Sequence, residues 1–114
     1  MKKTALQVLV GARGRERPHE TTGYQVEGHL HVCRDPRGAD YWVIVHAPTG
    51  LRLNERAVGQ MPFRTRRRAA AVAADLGDQV PELTTRPRIK TFIRRNKRHV
   101  RQCFTWACLR HIGT

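Results

Sequence analysis

Acidic side chains are what this sequence most conspicuously lacks. Nine aspartates and glutamates stand against 22 lysines and arginines, a formal net charge of +13, and no carboxylate side chain follows Glu82. A small domain stays soluble with a net charge of magnitude about 2 to 8. An excess of this size points to a polyanion as neighbour. GC-rich coding accounts for arginine outnumbering lysine, but not for the shortage of aspartate and glutamate.

Other absences narrow the field. Cys33, Cys103 and Cys108 are odd in number and form no recognised framework, which argues against a disulfide-stapled secreted domain and for a reducing, cytoplasmic setting. No stretch approaches the roughly 20 apolar residues of a membrane span, so no membrane partner is expected. Met1 to Leu6 opens like a secretory leader, but Gln7 interrupts the apolar run and Arg13 ends it, and a first strand is expected instead. There is no glycine-rich phosphate loop, nucleophile elbow or dinucleotide fingerprint. The reading is therefore non-enzymatic, with no catalytic residues and no cofactor.

At 114 residues the chain is one domain's worth. Thr4 to Val10 is a short apolar run with strand character, and Gly11 to Gly23, rich in Gly, Arg and Glu with Pro18, reads as a mobile connection. Arg13, Arg15 and Arg17 in that connection are within reach of a phosphate backbone, although Glu16 and Glu20 partly offset them. Together 1–23 is strand and loop. From Tyr24 to Val32 apolar and polar residues alternate, with Tyr24, Val26, Leu30 and Val32 on one face and Gln25, Glu27, His29 and His31 on the other. Asp35-Pro36-Arg37-Gly38 supplies a turn, Tyr41 to Ala47 a strand covered on both faces, and Pro48-Thr49-Gly50 a second turn into Leu51-Arg52-Leu53. Residues 24–60 thus read as antiparallel strands in a meander. The fold expected is α+β, a three- to four-stranded antiparallel sheet with two helices packed on one face.

The first helix is expected over 65–77. Thr65 is its N-cap, Ala69, Val72, Ala73 and Leu76 recur at helical spacing, and Gly77 marks its stop. Arg66, Arg67 and Arg68 crowd its first turn, where the macrodipole is already positive, an arrangement suited to holding an anion. An extended connection follows over 78–88, too long for a helix-turn-helix.

The stretch 89–112 carries the clearest functional signal. On a helix, Phe92, Ile93, Val100, Cys103, Phe104 and Ala107 line one side and Lys90, Arg94, Lys97, Arg98 and Arg101 the other. Arg95 joins the cationic set. Trp106 falls near the border between the two sides.

Two smaller constellations stand out. His29, His31 and Cys33, spaced by two, would share one face of a strand with His46 on its neighbour, a competent zinc set by ligand type. Structural zinc sites gather ligands in paired clusters from turns, however, so the row is read as polar side chains on an exposed strand and no metal is assigned. His99 and Cys103, one helical turn apart, form a weaker set still. His46 beside a buried strand reads as a hydrogen-bonding core histidine.

Over Tyr24 to Leu76, three strands followed by Phe63-Arg64-Thr65 and an alanine-rich helix resemble the layout of small sheet-plus-helix DNA-binding domains, such as the AP2-like and integrase arm-binding domains. The resemblance covers less than half the chain. It implies a sheet lying in a major groove, with Gln25, Glu27, His29 and His31 facing the bases and the helix bracing the sheet from behind.

The function expected is binding of nucleic acid, DNA or RNA, through phosphate contacts from Arg66, Arg67, Arg68, Lys90, Arg94, Arg95, Lys97, Arg98 and Arg101. The competing expectation is a small interaction protein of phage or plasmid type. Such a protein would dock its basic face on an acidic protein or nucleoprotein complex, for example a host defence complex, and block it.

Overall fold

The computed structural model describes residues 1–12, 14–36, 38, 40–54 and 63–114. Arg13, Arg37 and the 55–60 portion of the expected strand region lie outside the described residues. Strands β1 (Lys2–Val10) and β2 (Arg17–Glu27) form a long antiparallel hairpin, from Lys2 opposite Gln25 to Val10 opposite Arg17. The expected mobile connection is therefore strand from Arg17 onward. Pro18 misled the reading because proline is excluded from strands paired on both sides. Here β3 pairs β2 only from Gly23 on, so Pro18 faces no second ladder.

The expected strand Tyr24–Val32 is two strands. Gly28 and His29 turn the chain so that Glu27 stands opposite Leu30, the first residue of β3 (Leu30–Arg34). Gly28 has φ +54° and no non-glycine residue has positive φ among those described, which is the signature of a two-residue type II′ hairpin turn. A two-residue turn alone would reverse the alternation, but the register shifts by one between Gln25 and Glu27, and this bulge sets Tyr24 opposite Val32. Tyr24 and Val26 still pack on the core to which Leu30 and Val32 belong, and so the pattern reads as unbroken.

Strands β4 (Trp42–His46) and β5 (Leu51–Arg52) complete a sheet of order β1-β2-β3-β4-β5, five strands among the described residues where three or four were expected. The outer edge of β4 is well used: Ile44 N–H donates to Asn54 Oδ1 at 2.7 Å and Trp42 N–H to the Phe63 carbonyl at 2.7 Å. Leu9 N–H reaches the Gly50 carbonyl at 2.9 Å, so the sheet curls until its first strand meets the turn before its last. Leu6, Val8, Cys33, Val43 and Val45 form a minor core inside the curl, while Leu30, Val32, Ile44 and Leu51 face the helices.

Helix α1 (Arg66–Gln79) starts as expected, with Thr65 Oγ1 accepting from Arg68 N–H at 3.2 Å, and buries Ala69, Val72, Ala73 and Leu76. It runs through Gly77, the expected stop. A Cβ there would lie 2.8 Å from Thr84 Cγ2 and 2.9 Å from Glu27 Oε2, so this glycine permits close packing and does not end the helix.

The connection 78–88 contains a one-turn helix, α2 (Glu82–Thr85), fastened to the sheet. His29 N–H donates to the Thr84 carbonyl at 2.9 Å, and His46 Nε2 bonds the Arg86 carbonyl at 2.7 Å. Two helices, α3 (Lys90–Arg95) and α4 (Lys97–Arg110), replace the single helix expected over 89–112. Of the helices, α1 lies against the sheet while α4 packs chiefly on α1, with Phe104 stacked on Phe63 at 6.1 Å between centroids. The α+β class holds, with four helices among the described residues where two were expected.

Candidate nucleic-acid interface

The break between α3 and α4 is made by Asn96. Its Nδ2 donates to the Phe92 carbonyl at 2.9 Å, as does its own N–H, and the helical ladder restarts at Val100 N–H on the Asn96 carbonyl. Both pieces remain seated by buried residues: Ile89 and Ile93 anchor the first, and Val100, Cys103, Phe104, Ala107 and Cys108 the second. Phe92 is half-buried, with the Arg86 guanidinium 5.1 Å from its ring centroid.

Lys90, Arg94, Arg95, Lys97, Arg98 and Arg101 are all exposed, and none has a carboxylate partner among the described residues. Several of the chain's carboxylates lie against other side chains. Asp35 lies 3.9 Å from Arg52. Glu27 faces Asp78, and burial with that neighbouring carboxylate raises its pKa. Asp75 on α1 accepts from Arg110 Nε at 2.7 Å and Nη2 at 2.8 Å, from Gln79 Nε2 at 2.9 Å, and meets His111 Nε2 at 3.1 Å. Those hydrogen bonds, the Arg110 contact foremost, hold its carboxyl below the usual range. Neutralisation is thus concentrated at the C-terminal end of α4, and the other end stays cationic. Lys97 and Arg98 also open α4 with no side-chain cap on its first N–H groups. That end of the helix is doubly positive.

The three arginines opening α1 part company. Arg67 is exposed. Arg66 is exposed too, with its guanidinium 4.3 Å from the Tyr24 ring centroid. Arg68 is half-buried: it lies 5.5 Å from the Phe63 ring and donates through Nη2 to the Cys108 carbonyl at 3.5 Å, tying α1 to α4. It braces the two helices.

The groove-facing row implied by the DNA-binding resemblance does not form. His29 is in the hairpin turn, where its ring meets His46 edge-on at 5.6 Å, and His31 is buried with Nδ1 3.3 Å from the His29 carbonyl. Glu27 turns toward Asp78 and Gly77. For the same reason His29, His31 and Cys33 do not share one strand face, and no group of three or more His, Cys, Asp or Glu side chains able to hold a metal occurs among the described residues. Burial pushes the Cys33 thiol up to about 12 and Cys108 to about 11, which keeps both protonated at neutral pH.

Two surface features escaped the sequence reading. Trp106, Leu109 and Ile112, at 46%, 59% and 65% exposure, make an apolar stripe along the outward side of α4 and just past its end. A cluster also forms on the helix-facing side of the sheet, where Tyr24 and Trp42 lie 6.3 Å apart with their planes at 44° and Arg34 is 5.3 Å from the Trp42 ring. The register that brings Arg34 opposite Trp42 follows from the hairpin around Asp35-Pro36, which the sequence did signal.

No protein-family model, curated protein or solved structure matches the chain. No helix among the described residues is long and apolar enough to cross a membrane.

Proposed function

We propose that this protein binds nucleic acid without enzymatic activity, holding phosphates on α3 and the first half of α4. The observation that carries the reading is the set of six exposed cations, Lys90, Arg94, Arg95, Lys97, Arg98 and Arg101, with no carboxylate partner among the described residues. Unpaired cations on packed helices can replace the counterions condensed on a phosphate backbone, whose release favours binding. Arg66 and Arg67 extend the surface. Phosphate contacts of this kind give affinity and orientation but carry no base sequence. Three unbridged, buried thiols suit a reducing, cytoplasmic setting.

The test is fluorescence anisotropy with labelled duplex DNA, single-stranded DNA and RNA. We compare the native chain with an Arg94→Glu, Arg98→Glu, Arg101→Glu variant. The variant binds at least tenfold more weakly at 50 mM salt. Equal affinity, or no binding by the native chain at that salt, overturns the proposal.

The exposed stripe of Trp106, Leu109 and Ile112 favours a second reading, a small interaction protein of phage or plasmid type that docks on an acidic protein or nucleoprotein complex and inhibits it. Its mixed cationic and apolar surface suits a protein interface core with a charged rim. Tight one-to-one capture of an acidic host protein that survives nuclease treatment, and is lost in Leu109→Lys, supports this reading over the first.

A further inference from the structure

We infer that the Tyr24–Trp42 cluster on the helix-facing side of the sheet is a second contact for the same ligand, one that takes unpaired bases, so that the preferred partner is single-stranded nucleic acid. The inference rests on the phosphate-binding reading above.

Four elements converge on this cluster. Tyr24 comes from β2, Arg34 from β3, Trp42 from β4 and Arg66 from the first turn of α1. The two rings are half-buried and pack on the main core, which fixes their orientation. Each has an exposed arginine over it, Arg66 at 4.3 Å from the Tyr24 centroid and Arg34 at 5.3 Å from that of Trp42. Lys3, opposite Tyr24 on β1, and Arg64, beside Phe63, add two more exposed cations at the margin.

The chemistry is that of base stacking beside phosphate binding. A ring face accepts any base, a guanidinium plane stacks on a base or pairs with a phosphate, and the combination recognises single strands with little sequence preference. Bases inside a duplex already have both faces covered by their neighbours. The 6.3 Å separation and 44° tilt of the two rings suit two bases unstacked from each other, not a continuous stack. An acidic protein would satisfy the arginines but leave the rings unused.

The chain has two tryptophans, so Trp106→Phe leaves Trp42 as the sole indole reporter. That variant is titrated at 50 mM salt with oligothymidylate, oligouridylate, a matched duplex and polyglutamate. Single strands are expected to quench Trp42 emission by about a third or more, as stacking does, while duplex and polyglutamate leave it unchanged. The two oligonucleotides distinguish DNA from RNA. Tyr24→Leu is expected to weaken single-strand binding about fivefold with duplex binding within twofold. Binding of single strands with unchanged Trp42 emission overturns this inference and leaves the helical phosphate surface standing. Equal quenching by duplex or polyglutamate overturns it as well. Absence of binding to every nucleic acid removes both readings together.

Discussion

His46 is fully buried, yet both ring nitrogens are engaged, Nδ1 with Thr49 Oγ1 at 2.8 Å and Nε2 with the Arg86 carbonyl at 2.7 Å. A carbonyl only accepts, so Nε2 carries the proton and Nδ1 receives the threonine hydroxyl. A second proton would place an N–H against Thr49 and a charge beside His29 and His31. Burial accordingly lowers the His46 pKa, and it lowers that of His31 in the same way. Below about 6.5, the ordinary histidine value, the unfolded chain therefore binds more protons than the folded one. The stability these two histidines contribute is full above that pH and is lost as pH falls through their lowered values. Glu27 acts in the opposite direction, because its raised pKa lets the folded state take up a proton in mildly acidic solution. With two histidines against one carboxyl, thermal melts between pH 8 and 5 are expected to show a falling midpoint that begins below about 6.5. A flat profile across that window would mean the histidines are not held neutral.

Among the elements, α4 depends most on a single side chain. Phe104 is fully buried, stacks on Phe63 and lies on the side of α4 that meets α1. Removing a buried phenyl group costs about 3 to 5 kcal/mol, a large share of the 5 to 15 kcal/mol that holds a typical domain together. Phe104→Ala is thus expected to leave much of the chain unfolded in mild denaturant, whereas Arg101→Ala, on the exposed side, shifts the midpoint by less than about 0.5 kcal/mol. Comparable midpoints for the two variants would contradict the packing described. This division between sides was legible in the sequence, since it needs only the helical period. So was the cap at Thr65, which needs only a hydroxyl at the right offset. What escaped were features set by non-local contact. Gly77 looks like a helix stop until Thr84 and Glu27 are seen beside it, and Pro18 looks like a loop until β2 proves unpaired on that side. The Asn96 break was hidden because Ile93 and Val100 stay seven residues apart, two turns, whether or not the helix is continuous. At the candidate site the outer cations could be named from spacing alone. The role of Arg68 between the helices was not legible, because nothing local announces a bond to Cys108, forty residues on.

The molecule as a whole keeps its ion-paired carboxylates away from the cationic helices' outer surface. Asp75 closes the far end of α4 and Asp35 sits with Arg52, while the cations from Lys90 to Arg101 have no carboxylate partner among the described residues. A ligand that engages all six cations there should show log K falling against log salt with a slope of roughly −5 on duplex DNA, and somewhat shallower on single strands. Replacing Lys97 and Arg98 with glutamine is expected to flatten the duplex slope by roughly 2. A slope near zero for the native chain would mean that counterion release is not the driving force.

Thr84 and Arg86 are both riveted to the sheet just before the cationic helices begin. Those helices therefore leave from a fixed origin, with no hinge in the rivets to let them swing toward a ligand. A strand lying across them must adopt the direction the protein imposes. Severed upstream of residue 84, the same tail would still attract polyanions, but it would have lost its compass.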